Sequence, residues 1–299
     1  MYKLLTFIDL FSGIGGFRLG MEQARHTCLG HCEIDKFAEK SYRAMHEVKE
    51  GEWYAADITK VRAEEIPKAD CWCFGFPCTN ISIAGKQTGI QGNQSGLFFD
   101  VIRLLEETEK ENKPRWLFIE NVKNLLSINK GFDFAGILLA LDEIGYDTEW
   151  EVLDSAEFYV PQHRERIYII GHIRGRSGRK IFPIQRKNKS AGIKQIGNIK
   201  QPRKKWKNPP SGRIFSVEGI SPTLTCNGGG GHEVKILVEK KGKKEIRKLT
   251  PKEYFRLQNF PDKYFYKAKA VNSDTQLYKQ VGNSVTVSVI YEIAKRIGT

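Results

Sequence analysis

Asp9-Leu10-Phe11-Ser12-Gly13-Ile14-Gly15-Gly16-Phe17 closes an apolar run that begins at Leu4 and leads into a helical stretch. A strand that ends in a glycine-rich turn and enters a helix is the first unit of a doubly wound α/β domain. There the glycines let a ligand approach the backbone, and the first helical amides face an anionic group. Counted from Gly13, the dinucleotide pattern G-x-G-x-x-G requires a third glycine where this chain carries Arg18. That speaks against NAD and leaves other nucleotide-like ligands open. About twenty residues later Glu33 ends the next apolar run, where an acidic side chain accepts from both ribose hydroxyls. Asp57, near the end of a short run at residues 53–56, is placed to accept from an adenine amino group. Each acid alone reads more readily as a cap or a solvated surface residue. The three features in order at strand ends point to a nucleotide-type pocket.

Outward from that unit, residues 4–10, 27–33, 70–75, 116–120, 148–153 and 166–172 read as strands, with a shorter one at 53–56. Between them, residues 17–24, 37–45, 98–109 and 132–144 carry apolar positions at spacings of three and four, the helical period. From about Arg174 the composition turns to Lys, Arg, Asn, Gly and Pro, and Lys204-Lys205-Trp206-Lys207 and Asn208-Pro209-Pro210 mark loops. Order returns at Leu249-Thr250-Pro251-Lys252-Glu253, where Thr250 caps a helix that starts at Pro251 and Glu253 completes a capping box. A last helix is expected at residues 284–296. A chain of 299 residues suits about two domains: a catalytic and cofactor-binding domain at 1–178, a second domain at 179–250, and a return segment at 251–299 that completes the first.

The charge is not spread evenly. Residues 1–171 carry −8 (19 basic, 27 acidic), residues 172–250 carry +17 (21 basic, 4 acidic) and residues 251–299 carry +4 (8 basic, 4 acidic), within a total of +13. So polarised a segment indicates a polyanion-binding face, nucleic acid first and acidic membrane second. Hydrophobic residues at 40% and charged residues at 28% are ordinary globular usage and exclude a fully disordered or collagen-like chain. The longest apolar runs are strand-sized, far short of a membrane span, and the start lacks a signal-peptide cleavage pattern. The expectation is a soluble, cytoplasmic protein. Six cysteines without paired C-x-x-C spacing are expected to be reduced thiols, with no metal site.

Three further stretches carry chemistry. In Cys71-Trp72-Cys73-Phe74-Gly75-Phe76-Pro77-Cys78 an apolar strand delivers Cys78 to its carboxyl end, before a loop at residues 79–94 rich in glycine. Ligands of open α/β sheets collect at that edge; Cys71 and Cys73, on the strand, read as small buried hydrophobes. Trp116-Leu117-Phe118-Ile119 ends in Glu120-Asn121-Val122, where Glu120 is either a helix cap or a buried acid able to share a proton with a ligand. In Gln162-His163-Arg164-Glu165-Arg166 the two arginines sit at alternate positions and project to one side, as a solvated face or as holders of phosphate or a carbonyl oxygen.

Phe11-Ser12-Gly13-Ile14-Gly15-Gly16-Phe17, Pro77-Cys78, Glu120-Asn121-Val122, Gln162-x-Arg164-x-Arg166 and Gln280-Val281-Gly282-Asn283-Ser284-Val285 stand in the order found in DNA (cytosine-5)-methyltransferases, and the chain resembles a compact bacterial or phage enzyme of the restriction-modification type. The resemblance spans nearly the whole chain. It implies a Rossmann-like S-adenosylmethionine-dependent domain with a small, irregular, mostly β target-recognition domain. It also implies Cys78 as nucleophile, Glu120 as the acid at cytosine N3, and Arg166, with Arg164 beside it, as donor to cytosine O2. Phe11, Gly13, Gly15, Gly16, Glu33, Asp57, Ile58, Leu97, Asn283 and Ser284 match the S-adenosylmethionine pocket. Leu249 to Pro261 matches the segment that supports the recognition domain. Family members often have Gln after the Pro-Cys pair, where this chain has Thr79. The implied partners are double-stranded DNA and a cognate restriction endonuclease acting on the same site, with the chain itself a monomer.

The alternatives are a methyltransferase of the same fold acting on cytosine in transfer RNA, and a cofactor-binding module that holds DNA without catalysis. The broad basic segment and the glycine run in Thr225-Cys226-Asn227-Gly228-Gly229-Gly230-Gly231-His232 favour duplex DNA, and the set of Cys78, Glu120 and Arg166 favours catalysis. The charge split generates a test. Neutralising Arg203, Lys204 and Lys207 together is expected to make the log–log salt dependence of duplex affinity shallower by up to about three units, weakening cognate and random DNA alike. Titrations at several salt concentrations measure it, and an unchanged slope would place the phosphate contacts elsewhere.

Overall fold

In a computed structural model, which describes residues 4–77, 96–176, 178–188, 191–200, 207–225, 233–240 and 242–297, the first half of the chain forms a seven-stranded mixed sheet. Its strands are β1 (Thr6–Leu10), β2 (Thr27–Cys32), β3 (Trp53–Ala55), β4 (Cys71–Phe74), β5 (Trp116–Val122), β6 (Tyr146–Asp154) and β7 (Glu165–Ile173), in the order β3-β2-β1-β4-β5-β7-β6. Neighbours from β3 to β5 are parallel, whereas β7 runs antiparallel to both β5 and β6. The expected strands are all present, shifted by a residue or two at their ends, and the reversal of β7 is the departure from a uniformly parallel sheet.

Alternation along the central strands explains the layers. Phe7, Cys71, Cys73, Trp116 and Phe118 face one side, where helices α1 (Gly16–Gln23) and α8 (Val287–Ile297) cover them. Ile8, Leu10, Trp72, Phe74, Leu117 and Ile119 face the other, under α3 (Leu97–Glu107) and α4 (Phe132–Glu143). Cys71 and Cys73 are buried free thiols, as read from the sequence. Ile181, Phe182 and Ile184 pack into the α1/α8 side of the core. The packing of the first domain therefore runs past the expected boundary at 178/179, because backbone amides of Ile181, Phe182 and Ile184 are held by the carboxylates of Glu149 and Glu151 on β6.

A second sheet holds β8 (Gln195–Asn198), β9 (Arg213–Ser216), β10 (Lys235–Lys240) and β11 (Lys243–Lys248) in the order β11-β10-β9-β8. It joins the rest through a shared core in which Phe215, Leu224, Val234 and Ile236 meet Tyr254 and Phe255 of α5 (Pro251–Leu257), Leu277 and Val281 of α7 (Asp274–Asn283), and Ile14, Leu19 and Met45 of the first domain. Thr250 and Glu253 form the expected capping box of α5. The helix expected at 284–296 begins instead at Val287; Asn283 ends α7, and Ser284 is extended at φ −71°, ψ 156°. Neither α6 (Asp262–Val271) nor α7 was anticipated.

The extended link is required by a buried polar joint. Ser284 presents its carbonyl to the Arg164 guanidinium at 2.8 Å and to Gln258 Nε2 at 3.3 Å, which a helical turn there would not allow. Gln258 also donates to the Val281 carbonyl and accepts from Thr286 Oγ1 at 2.6 Å, and Gln162 donates to the Leu257 carbonyl and accepts from the Leu224 amide. Both glutamines are fully buried. Removing one partner of such a network leaves several groups unsatisfied. Gln258→Leu is expected to lower the free energy of unfolding by roughly 3 kcal/mol in urea titrations, against less than about 0.5 kcal/mol for Glu245→Gln on the exposed strand β11. Equal effects would deny the joint its role.

Candidate active site

The reversal of β7 decides what the sheet edge can hold. Strands β1, β4 and β5 bring their carboxyl ends to one edge, and antiparallel pairing of Val122 with Arg166 brings the start of β7 to the same edge. Residues from a strand's beginning thereby join residues from three strand ends. At this edge lies a cavity of about 390 Å³, within the usual range of small-molecule pockets. It is lined by Phe11, Gly13, Gly16, Glu33, Asp57, Ile58, Leu97, Asn283 and Ser284 and, on the same wall system, by Glu120, Arg164 and Arg166.

The first set builds the half nearest the glycine turn. Phe11, Gly13 and Gly15 all adopt left-handed backbone, at φ 54°, 57° and 77°. Gly15 does not line the cavity: a Cβ there would fall 2.2 Å from His46 Nε2. A Cβ on Gly16 would fall 2.7 Å from Ser284 Oγ and from Val285 Cγ2, so the turn and the end of α7 approach to a distance that only glycine permits. Glu33 accepts from the Gly13 amide and from the Asp35 amide, each at 2.7 Å, and so fixes the turn as well as facing the cavity. Burial pushes its carboxyl pKa up. Asp57 caps the short turn at Ile58–Lys60, accepting from the Thr59 amide and hydroxyl, the bland reading of that residue, while still lining the cavity. Arg18, which stands where the dinucleotide pattern wants glycine, is a buried anchor paired with Glu22 and Glu52 at 2.8 Å.

In the other half, Glu120 lies inside β5, not at a helix cap, and its Oε1 pairs with Arg166 Nε at 3.1 Å. The pair follows from register: Arg166 lies opposite Val122, so it is the diagonal neighbour of Glu120 on one face. A Cβ on Gly75 would come within 3.1 Å of Glu120 Oε2, which keeps one side of the carboxyl approachable. The two arginines share the cavity wall but not a task. Arg164 is buried, and its guanidinium donates to the carbonyls of Leu224, Gly282 and Ser284; it positions the surrounding chain. Asn121 Nδ2 donates to the Phe76 carbonyl at 3.0 Å and so holds the segment that leads to Cys78. Cys78 itself, the loop at 79–94 with Lys86, the basic residues Arg203 and Lys204, and Gly228 to Gly231 lie outside the described residues. Lys207 is exposed.

Sequence reasoning missed Ser12, Asn121 and Gln280 as wall or support residues. Their neighbours in the motifs were the available signal: each stands beside a residue already singled out. Ser12 and Gln280 line the cavity, while Ser12 Oγ and Gln280 Nε2 are themselves buried and have no hydrogen-bond partner among the described residues.

The chain matches the family of C-5 cytosine-specific DNA methylases over residues 5–215 and 184–299. It is 34% identical to the type II methyltransferase M.HhaI of Haemophilus parahaemolyticus over 99% of this chain and 94% of that protein. It is 37% identical to the type II methyltransferase M.SsoII of Shigella sonnei, over 97% and 79%. Among solved structures, the Entamoeba histolytica methyltransferase EhMeth superposes with a TM-score of 0.72 at 20% identity, covering 99% of this chain and 98% of that one. The S. pombe Dnmt2 methyltransferase gives 0.71 at 18%, covering 98% of each. At such identities the structures show the fold alone. Among the described residues no helix is long and apolar enough to cross a membrane.

The turn's support carries a pH signature. His46 is buried, contacts the Ile14 carbonyl through Nε2 at 3.0 Å, and has its pKa pushed down to about 3 by burial. Above about pH 6.5 this has no effect on stability. As pH falls from there toward about 3, the unfolded chain takes up a proton that the folded one refuses, so His46 lowers stability by up to about 1.4 kcal/mol per unit. In His46→Gln this part of the slope is expected to vanish when unfolding free energy is measured from pH 7 to 4; an unchanged slope would assign the acid sensitivity to other groups.

Proposed function

The chain belongs to the C-5 cytosine-specific DNA methylase family, and on that premise we propose that it methylates C5 of a flipped-out cytosine in a specific duplex DNA sequence, using S-adenosylmethionine and a covalent bond from Cys78 to cytosine C6. One observation carries the reading: the Glu120–Arg166 pair and the glycine turn line a single cavity, so a base held by the first would face a ligand held by the second. The pocket suits the cofactor. The left-handed glycine turn leaves room for backbone contact, and Glu33 and Asp57 stand on the wall for ribose and adenine. When bound, S-adenosylmethionine supplies an electrophilic methyl group.

The protein's own task is to make C5 nucleophilic. Carbon C5 of cytosine is a poor nucleophile until a thiolate adds to C6 and turns the ring enamine-like, the role of Cys78. As the Cys78 sulfur–C6 bond forms, electron density moves toward N3 and O2. Glu120 gives a proton to N3 and Arg166 donates to O2; one such donor contributes about 3 kcal/mol. After C5 is methylated, solvent takes its proton, the C5–H electron pair re-forms the C5–C6 double bond, the sulfur–C6 bond breaks to release the Cys78 thiolate, and N3 returns its proton to Glu120. The target must leave the base stack, at a cost of a few kcal/mol, for Cys78 to reach C6. The basic segment at 172–250 holds the phosphates, and a few base-edge contacts select the site.

Cys78→Ser is expected to abolish methyl transfer from labelled S-adenosylmethionine while cofactor affinity stays within about threefold, because a hydroxyl supplies almost no nucleophile at neutral pH. Duplex DNA with 5-fluorocytosine at the target is expected to trap a denaturation-resistant adduct with the wild-type protein. Near wild-type turnover of the serine variant, or no adduct with active enzyme, would sink the covalent mechanism.

A further inference from the structure

We propose that the outer face of α4 is a self-association surface, on which a second copy of the chain packs antiparallel about a two-fold axis near Gly136. α4 is apolar on every side. Phe134, Ile137 and Leu141 turn inward to the core, yet Phe132 and Leu139, which share one stripe of the helix, stand 66% and 52% exposed. Trp150 on β6 is 44% exposed and meets Phe134 edge-on, with ring centroids 5.2 Å apart, so it widens the same face. A helix that only covers a sheet turns polar residues to water. Scattered exposed apolar side chains are ordinary, but large ones gathered on one face mark an interaction surface.

The charges at the two ends of α4 indicate what covers it. Its polar residues are Asp133, which is buried and accepts from Asn129 Nδ2 at 3.2 Å, and Asp142 and Glu143 at the far end. Acids at a helix C-terminus oppose the dipole, and no basic residue stands in the last turn to offset them. Asp142 is paired with Arg174, whereas Glu143 has no side-chain partner among the described residues. At the other end Gly131 caps the helix without a side-chain hydrogen bond, and the exposed Lys130 before it is likewise unpaired among the described residues. A complementary surface is therefore apolar in the middle, basic beside Glu143 and acidic beside Lys130.

α4 itself, reversed, has that pattern. Antiparallel pairing sets the Glu143 carboxylate of each copy beside Lys130 and the helix N-terminus of the other, and the same register sets Phe132 beside Leu139 of the other copy. The small residues Ala135 and Gly136 at the centre let the two helices approach closely. Such a contact is isologous and closes on itself. Nucleic acid suits the face poorly, because α4 belongs to residues 1–171, which carry −8, and the +17 lies in residues 172–250. Pairing through α4 uses none of that basic segment. The dimer departs from the monomer that the resemblance implies.

Sedimentation equilibrium of the full chain is expected to show a reversible dimer with a dissociation constant of about 1–30 µM, as suits a contact at the small end of interfaces. Leu139→Glu is expected to weaken it by at least about 100-fold, since each copy would bury a charge in the apolar centre. Glu143→Lys is expected to weaken it by about 3- to 30-fold, because the lost pair occurs twice in a symmetric dimer. Adding Lys130→Glu to Glu143→Lys is expected to restore dimerisation, which requires that these two residues face each other across the axis; this pair of variants decides the matter if Leu139→Glu does not fold. A wild-type chain that stays monomeric at about 300 µM would leave the face to a partner of another kind and overturn the proposal. A dimer indifferent to Leu139→Glu, or no recovery in the double charge swap, would overturn it as well.

Discussion

The guanidinium of Arg164 sits where three distant pieces of chain meet. It donates to Leu224 from the segment before the glycine run, and to Gly282 and Ser284 from the return segment, while its own amide is held by Asp154. Taking an arginine out of water is expensive unless its donors are matched, and here carbonyl dipoles receive both terminal nitrogens. Carbonyls are a demanding choice of partner. A side chain can swing to follow an arginine, but a carbonyl is delivered only if the backbone around it is correctly folded. Arg164 is therefore compensated only when both distant segments are in place, which makes the buried charge a check on the assembly of the whole site.

The cavity inherits this dependence. One wall is the glycine turn at the start of the chain, and the facing wall is the end of α7, more than 260 residues later in the chain. The walls close against each other at Gly16, where even one added carbon would meet Ser284 and Val285. A contact that tight tolerates no slack in the return segment, and Gln258, Thr286 and Arg164 remove it by fixing residues 281–286 from the other side. Because the Arg164 fork also holds Leu224, the part of the molecule expected to meet DNA and the part that forms the pocket share one anchor. The shared core of Phe215, Leu224, Tyr254 and Val281 carries the same connection through packing.

Local features of this arrangement were legible in the sequence, and long-range ones were not. The glycine turn, the buried strands and the α5 capping box depend on neighbours within a few residues, so pattern alone exposes them. The direction of β7 does not, since apolar runs look the same in either direction. The link at 284–286 was read as helix because Ser284-Val285-Thr286-Val287 leads smoothly into the periodicity of α8, and nothing nearby shows that the Ser284 carbonyl is claimed by Arg164. Gln162 and Gln258 illustrate the same limit. A glutamine is ordinarily a surface residue, and only the fold reveals that these two are fully buried, with both ends of their amides engaged. Arg164 and Arg166 were rightly read as neighbours on one face, but alternation cannot say that one would be consumed by backbone and the other left to pair with Glu120.

That division of labour explains why the motif needs two arginines. On the proposed function Arg166 meets a base carbonyl, a role that requires exchange of partners, and Arg166 is held by one carboxylate oxygen and the carbonyl of its neighbour Glu165, contacts that can be traded for a ligand. A cation meant to lock three chain segments must not exchange at all, and Arg164 is buried with carbonyls around it. Neither residue could do both. Two positions apart, one just before β7 and one within it, is the shortest spacing along extended chain that puts two such cations on the same side, one turned into the joint and one beside Glu120. Reversing β7 then sets this pair beside Glu120 at the sheet edge, where a parallel strand in the same place would have delivered its far end instead.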